Sequence, residues 1–321
     1  MQHATIVGSG VIGLTTAACL LDVGLTVHIV SSGPLEETTS WKAAAAWYPS
    51  YVDQSARVIR WARHTYRVLA RQAALGIPGV VLRETKTLYR SPTTSPPPWA
   101  TGLPDARPIA EIDLPPPYSH GLRFTAPVVE MPSYLRWLAR HVAQRGATFE
   151  TRRLERLTEV QDHSSSGAMI VNCSGLGARV LVPDDTVYPI RGQIVRVTNP
   201  GIRFSVRDEH HPGGRAYVHP RGRDCILGGT ADIGTWDTTP DRQSAAAILN
   251  RCRTLLPELA NATVLEHLVG LRPGRAAVRV ERVASRRGQV VHNYGHGGSG
   301  ITTSWGCAQE VADLVTKAPA D

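Results

Sequence analysis

The sequence predicts an α/β chain (α+β overall) of two interleaved parts: a parallel-sheet domain assembled from separated segments, and a mainly antiparallel sheet domain inserted between them. Three observations carry this. The run His3-Ala4-Thr5-Ile6-Val7 meets Gly8-Ser9-Gly10-Val11-Ile12-Gly13 and opens into an apolar helical pattern over residues 14–25. Short strands parted by glycine and proline turns dominate residues 187–230. A strand, a glycine cluster and a helix return over residues 289–317.

The opening stretch is a GxGxxG fingerprint in its required strand–turn–helix context, so the first part is a Rossmann-like dinucleotide-binding domain. Gly8 permits the tight turn, Gly10 lets the backbone approach a pyrophosphate, and Gly13 lets helix pack on strand. Free N–H groups and the positive dipole end at the helix start favour phosphate. The motif alone does not choose between FAD and a nicotinamide cofactor.

A second strand, residues 26–30, completes the βαβ start. Four alanines between Trp41 and Trp47 then suggest a segment pressed against something flat. Residues 53–76 read as an amphipathic helix, with Val58, Trp61, Ala62, Leu69 and Ala73 near one face. Residues 80–90 form a strand. The proline-rich stretch 91–117 is expected to be irregular, a surface connector or lid-like loop. Strand 122–130 and helix 133–145, begun by Pro132 and stopped by Gly146, come next. Strands follow at 147–151 and 168–173, then at 194–197, 216–219 and 225–229. A helix spans 241–256. Strands 263–271 and 277–283 flank a sharp corner at Arg272-Pro273-Gly274, before strand 289–294 and the final helix, 301–317.

The 321 residues carry a formal net charge of +8, are 42% hydrophobic, and place only three lysines among 35 basic residues. That describes a soluble globular chain, whose dispersed positive charge suits anionic small molecules better than nucleic acid. The five cysteines (Cys19, Cys173, Cys225, Cys252, Cys307) lack metal-like spacing and read as buried apolar residues in a reducing compartment. No run approaches the ~18 apolar residues of a membrane span. The apolar start lacks a basic n-region and contains the nucleotide turn, so it is not read as a signal peptide. With no Ser-Lys-Leu end, cytoplasm is expected.

Three further stretches, Asn172-Cys173-Ser174-Gly175, Gly270-Leu271-Arg272-Pro273-Gly274-Arg275 and above all His292-Asn293-Tyr294-Gly295-His296-Gly297-Gly298-Ser299-Gly300, join the opening turn and Arg191-Gly192-Gln193 in one pattern. Together they resemble the D-amino-acid oxidase family of FAD enzymes over nearly the whole chain. The resemblance implies FAD as cofactor. Its binding domain would lie at residues 1–75, 131–182 and 285–321, with the substrate domain at 76–130 and 183–284.

The resemblance also implies substrate contacts. A planar guanidinium is the best fork for an α-carboxylate, and Arg272 falls at the family position for it. Tyr217 matches a tyrosine that reaches the same carboxylate, and Gly298 matches a carbonyl that accepts from the substrate amine. The family's second active-site tyrosine has no counterpart; His210-His211-Pro212-Gly213-Gly214 stands there. Around FAD the expected residues are Gly8, Gly10, Val11, Ile12, Gly13, Ser31, Ser32, Thr38, Thr39, Ala43, Ala44, Ala45, Ser174, Gly175, Gly297, Gly298, Gly300, Ile301 and Thr302. Two departures stand out. Ala45 replaces a glycine, and Ser32 replaces the acid expected on the ribose, with Glu36 and Glu37 nearby.

The implied chemistry is oxidative deamination of neutral D-amino acids. Hydride passes from the α-carbon to flavin without a general base; dioxygen then yields hydrogen peroxide, and water releases 2-oxo acid and ammonia. No metal and no nucleic acid are expected, and the oligomeric state is left open between monomer and homodimer. Rival readings are a D-aspartate oxidase, for which Arg215 would share a face with Tyr217, a glycine oxidase, and a non-catalytic flavin- or nucleic-acid-binding protein.

Overall fold

The computed structural model describes residues 2–49, 52–91, 97–161, 169–208, 210–285 and 288–317. The parallel part contains β1 (His3–Val7), α1 (Val11–Asp22), β2 (Thr26–Ser31) and α2 (Ala56–Ala74). The chain then crosses into the second sheet through β3 (Val80–Tyr89), β4 (Arg107–Pro108) and β5 (His120–Val129). It returns with α3 (Met131–Gln144), β6 (Thr148–Thr151), α4 (Thr158–Gln161), β7 (Met169–Asn172) and α5 (Ala178–Leu181). Strands β8 (Tyr188–Thr198), β9 (Ser205–Asp208), β10 (Ala216–Pro220), β11 (Asp224–Gly228) and β12 (Asp232–Ile233), helix α6 (Arg242–Leu255) and strand β13 (Val264–Gly274) rebuild the second sheet. Strands β14 (Arg279–Ser285) and β15 (Gly288–Tyr294) and helix α7 (Gly300–Thr316) close the first.

The first sheet has the order β14-β15-β7-β1-β2-β6, parallel except for the β14–β15 pair. Both its faces are covered, so β7 is buried at every position. On one side Ile6, Ile29 and Val171 pack with Leu14, Ala18, Leu138, Ala308 and Val311 of α1, α3 and α7. On the other, Val7, Val30, Ile170 and Val290 meet Leu154 and Leu157. The strand order reverses at β1, which lies between β2 and β7. A crevice therefore opens beyond the carboxyl ends of β1 and β7.

The second sheet runs β12-β8-β11-β10-β9-β3-β5-β4, with β13 against β8. Its pleat sorts the side chains. Val195, Val197, Val206, Ala216, Val218 and Leu227 face Ile248 and Cys252 of α6. Gly192, Ile194, Arg207, Tyr217, His219 and Arg272 face the crevice instead.

Four expectations need correction. Arg272-Pro273-Gly274 is no corner: β13 runs straight through it, with Arg272 opposite Ile190 and Gly274 opposite Tyr188. The proline fits because β13 pairs with β8 alone and is an edge strand. The proline-rich stretch does not simply run over the surface, for Trp99, Ala100 and Leu103 are buried against Trp47 and Phe124. Its residues 92–96 lie outside the described residues. β9 was not foreseen. Residues 279–284 were assigned to the substrate part, yet β14 hydrogen-bonds to β15 in the first sheet. All five cysteines are buried and free.

Candidate active site

A cleft of about 470 Å³ runs from the β1–α1 turn to the near face of the second sheet. At its first end Gly8 has φ +112°, and a Cβ there would lie 2.5 Å from the Cys173 carbonyl oxygen. A Cβ on Gly13 would overlap the Gly8 carbonyl, so that glycine serves helix–strand contact and does not line the cleft. α1 has no side-chain cap and no acidic residue in its first turn. Its positive end, with Gly10, Val11 and Ile12, faces the cleft. The Val11 amide donates to Ser40 Oγ at 3.0 Å.

Beyond β2, Ser31 turns its hydroxyl onto the Gly33 carbonyl at 3.1 Å, while Ser32 and Glu37 line the cleft. Glu36 does not line the cleft and lies at the surface, 3.7 Å from Arg136. The carboxylate available at the Ser32 end is thus Glu37. Thr38, Thr39 and Ala43 to Ala46 form the next wall. Thr39 fastens this wall to β13, its hydroxyl donating to the Leu271 carbonyl at 2.9 Å. Ala45 is buried and left-handed, φ +52°, and its carbonyl accepts from the Val129 amide at 2.8 Å.

Ser174, Gly175, Gly297, Gly298, Gly300 and Ile301 close the opposite side. α7 also lacks a side-chain cap and a first-turn acid, so a second positive helix end meets the cleft. The glycine loop is pinned to β13 by the Gly297 amide, which donates to the Pro273 carbonyl at 2.7 Å. Beneath it His296 bridges Asn293 Oδ1 at 3.0 Å and Thr303 Oγ1 at 3.1 Å. Burial pulls its pKa down to about 4, so it stays neutral. Thr302 does not line the cleft; its hydroxyl bridges the Tyr48 amide and carbonyl, 3.1 Å from each.

At the far end Arg272 and Tyr217 converge. The Arg272 guanidinium lies across Gly192, where any Cβ would overlap it, and its Nη1 donates to the Thr230 carbonyl at 3.1 Å. The Tyr217 ring lies across Gly228, its register partner, in the same way. Burial raises the Tyr217 pKa, opposed by Arg272, Arg207 and Arg215, so the phenol keeps its proton. Both side chains are held by glycine seats that sequence reasoning missed. Glycines inside otherwise apolar strands were the available signal.

Three more residues were missed or underused. Arg207 on β9 lies 3.6 Å over the Tyr48 ring, with Nη2 3.4 Å from His219 Nε2. His219 is held well below its usual pKa by burial and by Arg207 and Arg221, hence neutral. Arg215 lines the cleft beside Tyr217, as its spacing predicts. Where the second tyrosine was missing, the end of β9 is tied to its neighbours. Asp208, fully buried, takes Arg90 Nη2 at 2.8 Å, the Tyr118 hydroxyl at 2.9 Å and the His210 amide at 3.0 Å.

A long cleft with two helix starts free of first-turn acids, close glycine approaches and a small-residue wall fits an extended, anionic, partly flat dinucleotide. These features define a dinucleotide-binding protein built on two interleaved sheets. The sequence matches the DAO family, FAD dependent oxidoreductase, over residues 3–314, and the chain belongs to that family, with FAD as its cofactor. It is 46% identical to a D-amino-acid oxidase of Rubrobacter xylanophilus over 98% of this chain and 96% of that one. It is 42% identical to a D-amino-acid oxidase of Streptomyces coelicolor, covering 98% and 97%. To human D-aspartate oxidase the identity is 37%, covering 97% and 94%. The fold matches glycine oxidase from Geobacillus kaustophilus with TM-score 0.84 and 22% identity, covering 100% and 97%. No helix among the described residues is long and apolar enough to cross a membrane.

Proposed function

We propose that this chain oxidises neutral D-amino acids to 2-oxo acids. The net balance is D-amino acid, dioxygen and water giving 2-oxo acid, ammonia and hydrogen peroxide. The observation that carries the reading is the pairing of the Arg272 fork with the Tyr217 hydroxyl, both seated on glycines at the cleft end opposite the β1–α1 turn. A guanidinium offers two parallel N–H donors to a carboxylate, and a protonated phenol adds a third. The Gly298 carbonyl would accept from the neutral amine. Three fixed points orient the α-carbon and leave room for the side chain of one hand only. FAD supplies the two-electron acceptor for the α-hydrogen and its bonding pair.

The cofactor would rest its pyrophosphate on Gly8, Gly10, Val11 and Ile12 and its ribose by Ser31, Ser32 and Glu37. Thr38, Thr39, Ala43, Ala44, Ala45, Ser174 and Gly175 would line its length. Gly297, Gly300 and Ile301, at and just before the start of α7, would face the flavin edge that gains negative charge on reduction. Gly13 serves through packing. Free buried cysteines favour a reducing, cytoplasmic setting.

A second reading, an acidic side chain, has its own support in Arg207 and Arg215 on the same cleft. One experiment tests both. The yellow holoenzyme, mixed anaerobically with D-alanine or D-valine, is expected to bleach, and the L-forms to leave it yellow. Bleaching by D-aspartate alone would select the second reading, and bleaching by no D-amino acid would end both.

A further inference from the structure

A second cavity, of about 370 Å³, adjoins the cleft, and Arg215, Gly229 and Thr230 wall both. Its other side is one face of α6, with Ser244, Ala247 and Arg251. Arg251 is only 8% exposed. Its Nε donates to the Arg215 carbonyl at 3.1 Å. Among the described residues its two terminal nitrogens have no hydrogen-bond partner and no carboxylate within 4.0 Å. Asp232, the acid on the cavity wall, is taken by Arg191 at 3.2 Å.

The Arg251 guanidinium therefore presents its terminal nitrogens to the second cavity with no protein carboxylate to balance their charge. Burial lowers its pKa accordingly, without approaching neutrality at pH 7. An anion is the partner such a group lacks. We propose that the second cavity binds a small oxyanion, carboxylate or phosphate, in the fork of Arg251 with the Ser244 hydroxyl beside it.

The site would act on substrate capture, and this part rests on the role proposed for Arg272. Thr230 stands between the two cavities. Its carbonyl accepts from Arg272 Nη1 at 3.1 Å, and its hydroxyl accepts from the Gln193 amide at 3.0 Å. An occupant bearing on Gly229–Thr230 shifts the group that aims the Arg272 fork, so it changes KM for the amino acid before it changes the flavin.

The test uses FAD-loaded Arg272→Met, which lacks the fork in the main cleft, and titrates it calorimetrically with pyruvate and, separately, inorganic phosphate. At least one anion is expected to bind, at least tenfold more weakly when Arg251→Met is added. Pyruvate alone would point to a carboxylate metabolite, phosphate alone to an inorganic ligand. Should the double variant not fold, Arg251→Lys in the same background keeps charge but not the fork, and several-fold weaker pyruvate or phosphate binding is expected. Binding of neither anion to Arg272→Met, or binding indifferent to residue 251, overturns the proposal. A wrong role for Arg272 shows separately, as undiminished D-alanine oxidation by Arg272→Met.

Discussion

The two ends of the cleft are built on opposite plans. At the dinucleotide end, six consecutive residues, Gly8 to Gly13, make the turn, the close approach and the helix start. At the end proposed for the substrate no working part adjoins another in sequence. Tyr217 needs Gly228 across a hairpin, and Arg272 needs Gly192 from a strand about eighty residues earlier. The first end uses glycine to bring backbone to ligand, the second to bring side chain over backbone. A lesion at the first should therefore remove cofactor and fold together. A lesion at the second should spare both and remove substrate.

The largest expected effect is at the first end. Gly13→Val drives a branched side chain into the Gly8 carbonyl, and nothing there is flexible enough to yield. The expected outcome is loss of folded, yellow protein, read by flavin absorbance of the soluble fraction. Soluble Gly13→Val protein with normal FAD content would erase the contrast.

Arg272→Ala comes next. Removing a fork from a desolvated carboxylate costs about 2–5 kcal/mol, so kcat/KM should fall by roughly 30- to 5,000-fold while the oxidised flavin spectrum stays. Gly192→Ala leaves the arginine in place and denies it its seat. A fall of at least roughly tenfold, mainly in KM, is expected in steady-state assays. An unchanged KM in Gly192→Ala would mean that the guanidinium does not work from where it lies.

What was legible follows the same division. The turn, the βαβ unit and the final glycine–helix return are contiguous, so their physics is written in short windows. Arg272 and Tyr217 were reached only through a family pattern, because an arginine or tyrosine in a strand is ordinarily unremarkable. Their seats depend on strand register, which pairs Tyr217 with Gly228 and Arg272 with Ile190 and is fixed by long-range packing. Arg207 was hidden for that reason: β9 is four residues long and pairs in parallel with β3, far away in sequence. Trp99 was misjudged because proline content reports backbone irregularity and says nothing of burial.

A link between the two sheets offers an intermediate effect. Asp184, just before β8, accepts from Thr186, from the Tyr294 hydroxyl at 2.8 Å and from Arg275 Nε at 3.2 Å. Burial alone would raise its pKa; the hydrogen bonds and Arg275 bring it down to about 2. A depressed acid stabilises the fold above its unfolded pKa of about 4, and that stability is lost as pH falls toward 2. Asp184→Asn should cost about 2 kcal/mol at pH 7 and flatten the loss of stability between pH 4 and 2. Urea unfolding at several pH values reads both. An acid limb as steep as the wild type's would assign it to other carboxylates.

The smallest effect sharpens the comparison at the wall between the two ends. Ala45 holds a conformation that glycine adopts freely, at roughly 1–2 kcal/mol of strain for a residue with a Cβ. Ala45→Gly releases that strain but gives back about 0.5–1 kcal/mol in unfolded-state entropy, and it removes a methyl from the cleft wall. The terms nearly cancel, so thermal stability should shift by only about 1 kcal/mol or less, and FAD affinity should move far less than in Gly13→Val. Ala45→Val keeps the strained φ and adds β-branching, which that conformation tolerates worst. FAD release on dilution should be faster in Ala45→Val than in Ala45→Gly. Equal rates would show that this wall carries no cofactor contact, leaving the glycine turn, the Ser32 end and the start of α7 to hold the dinucleotide.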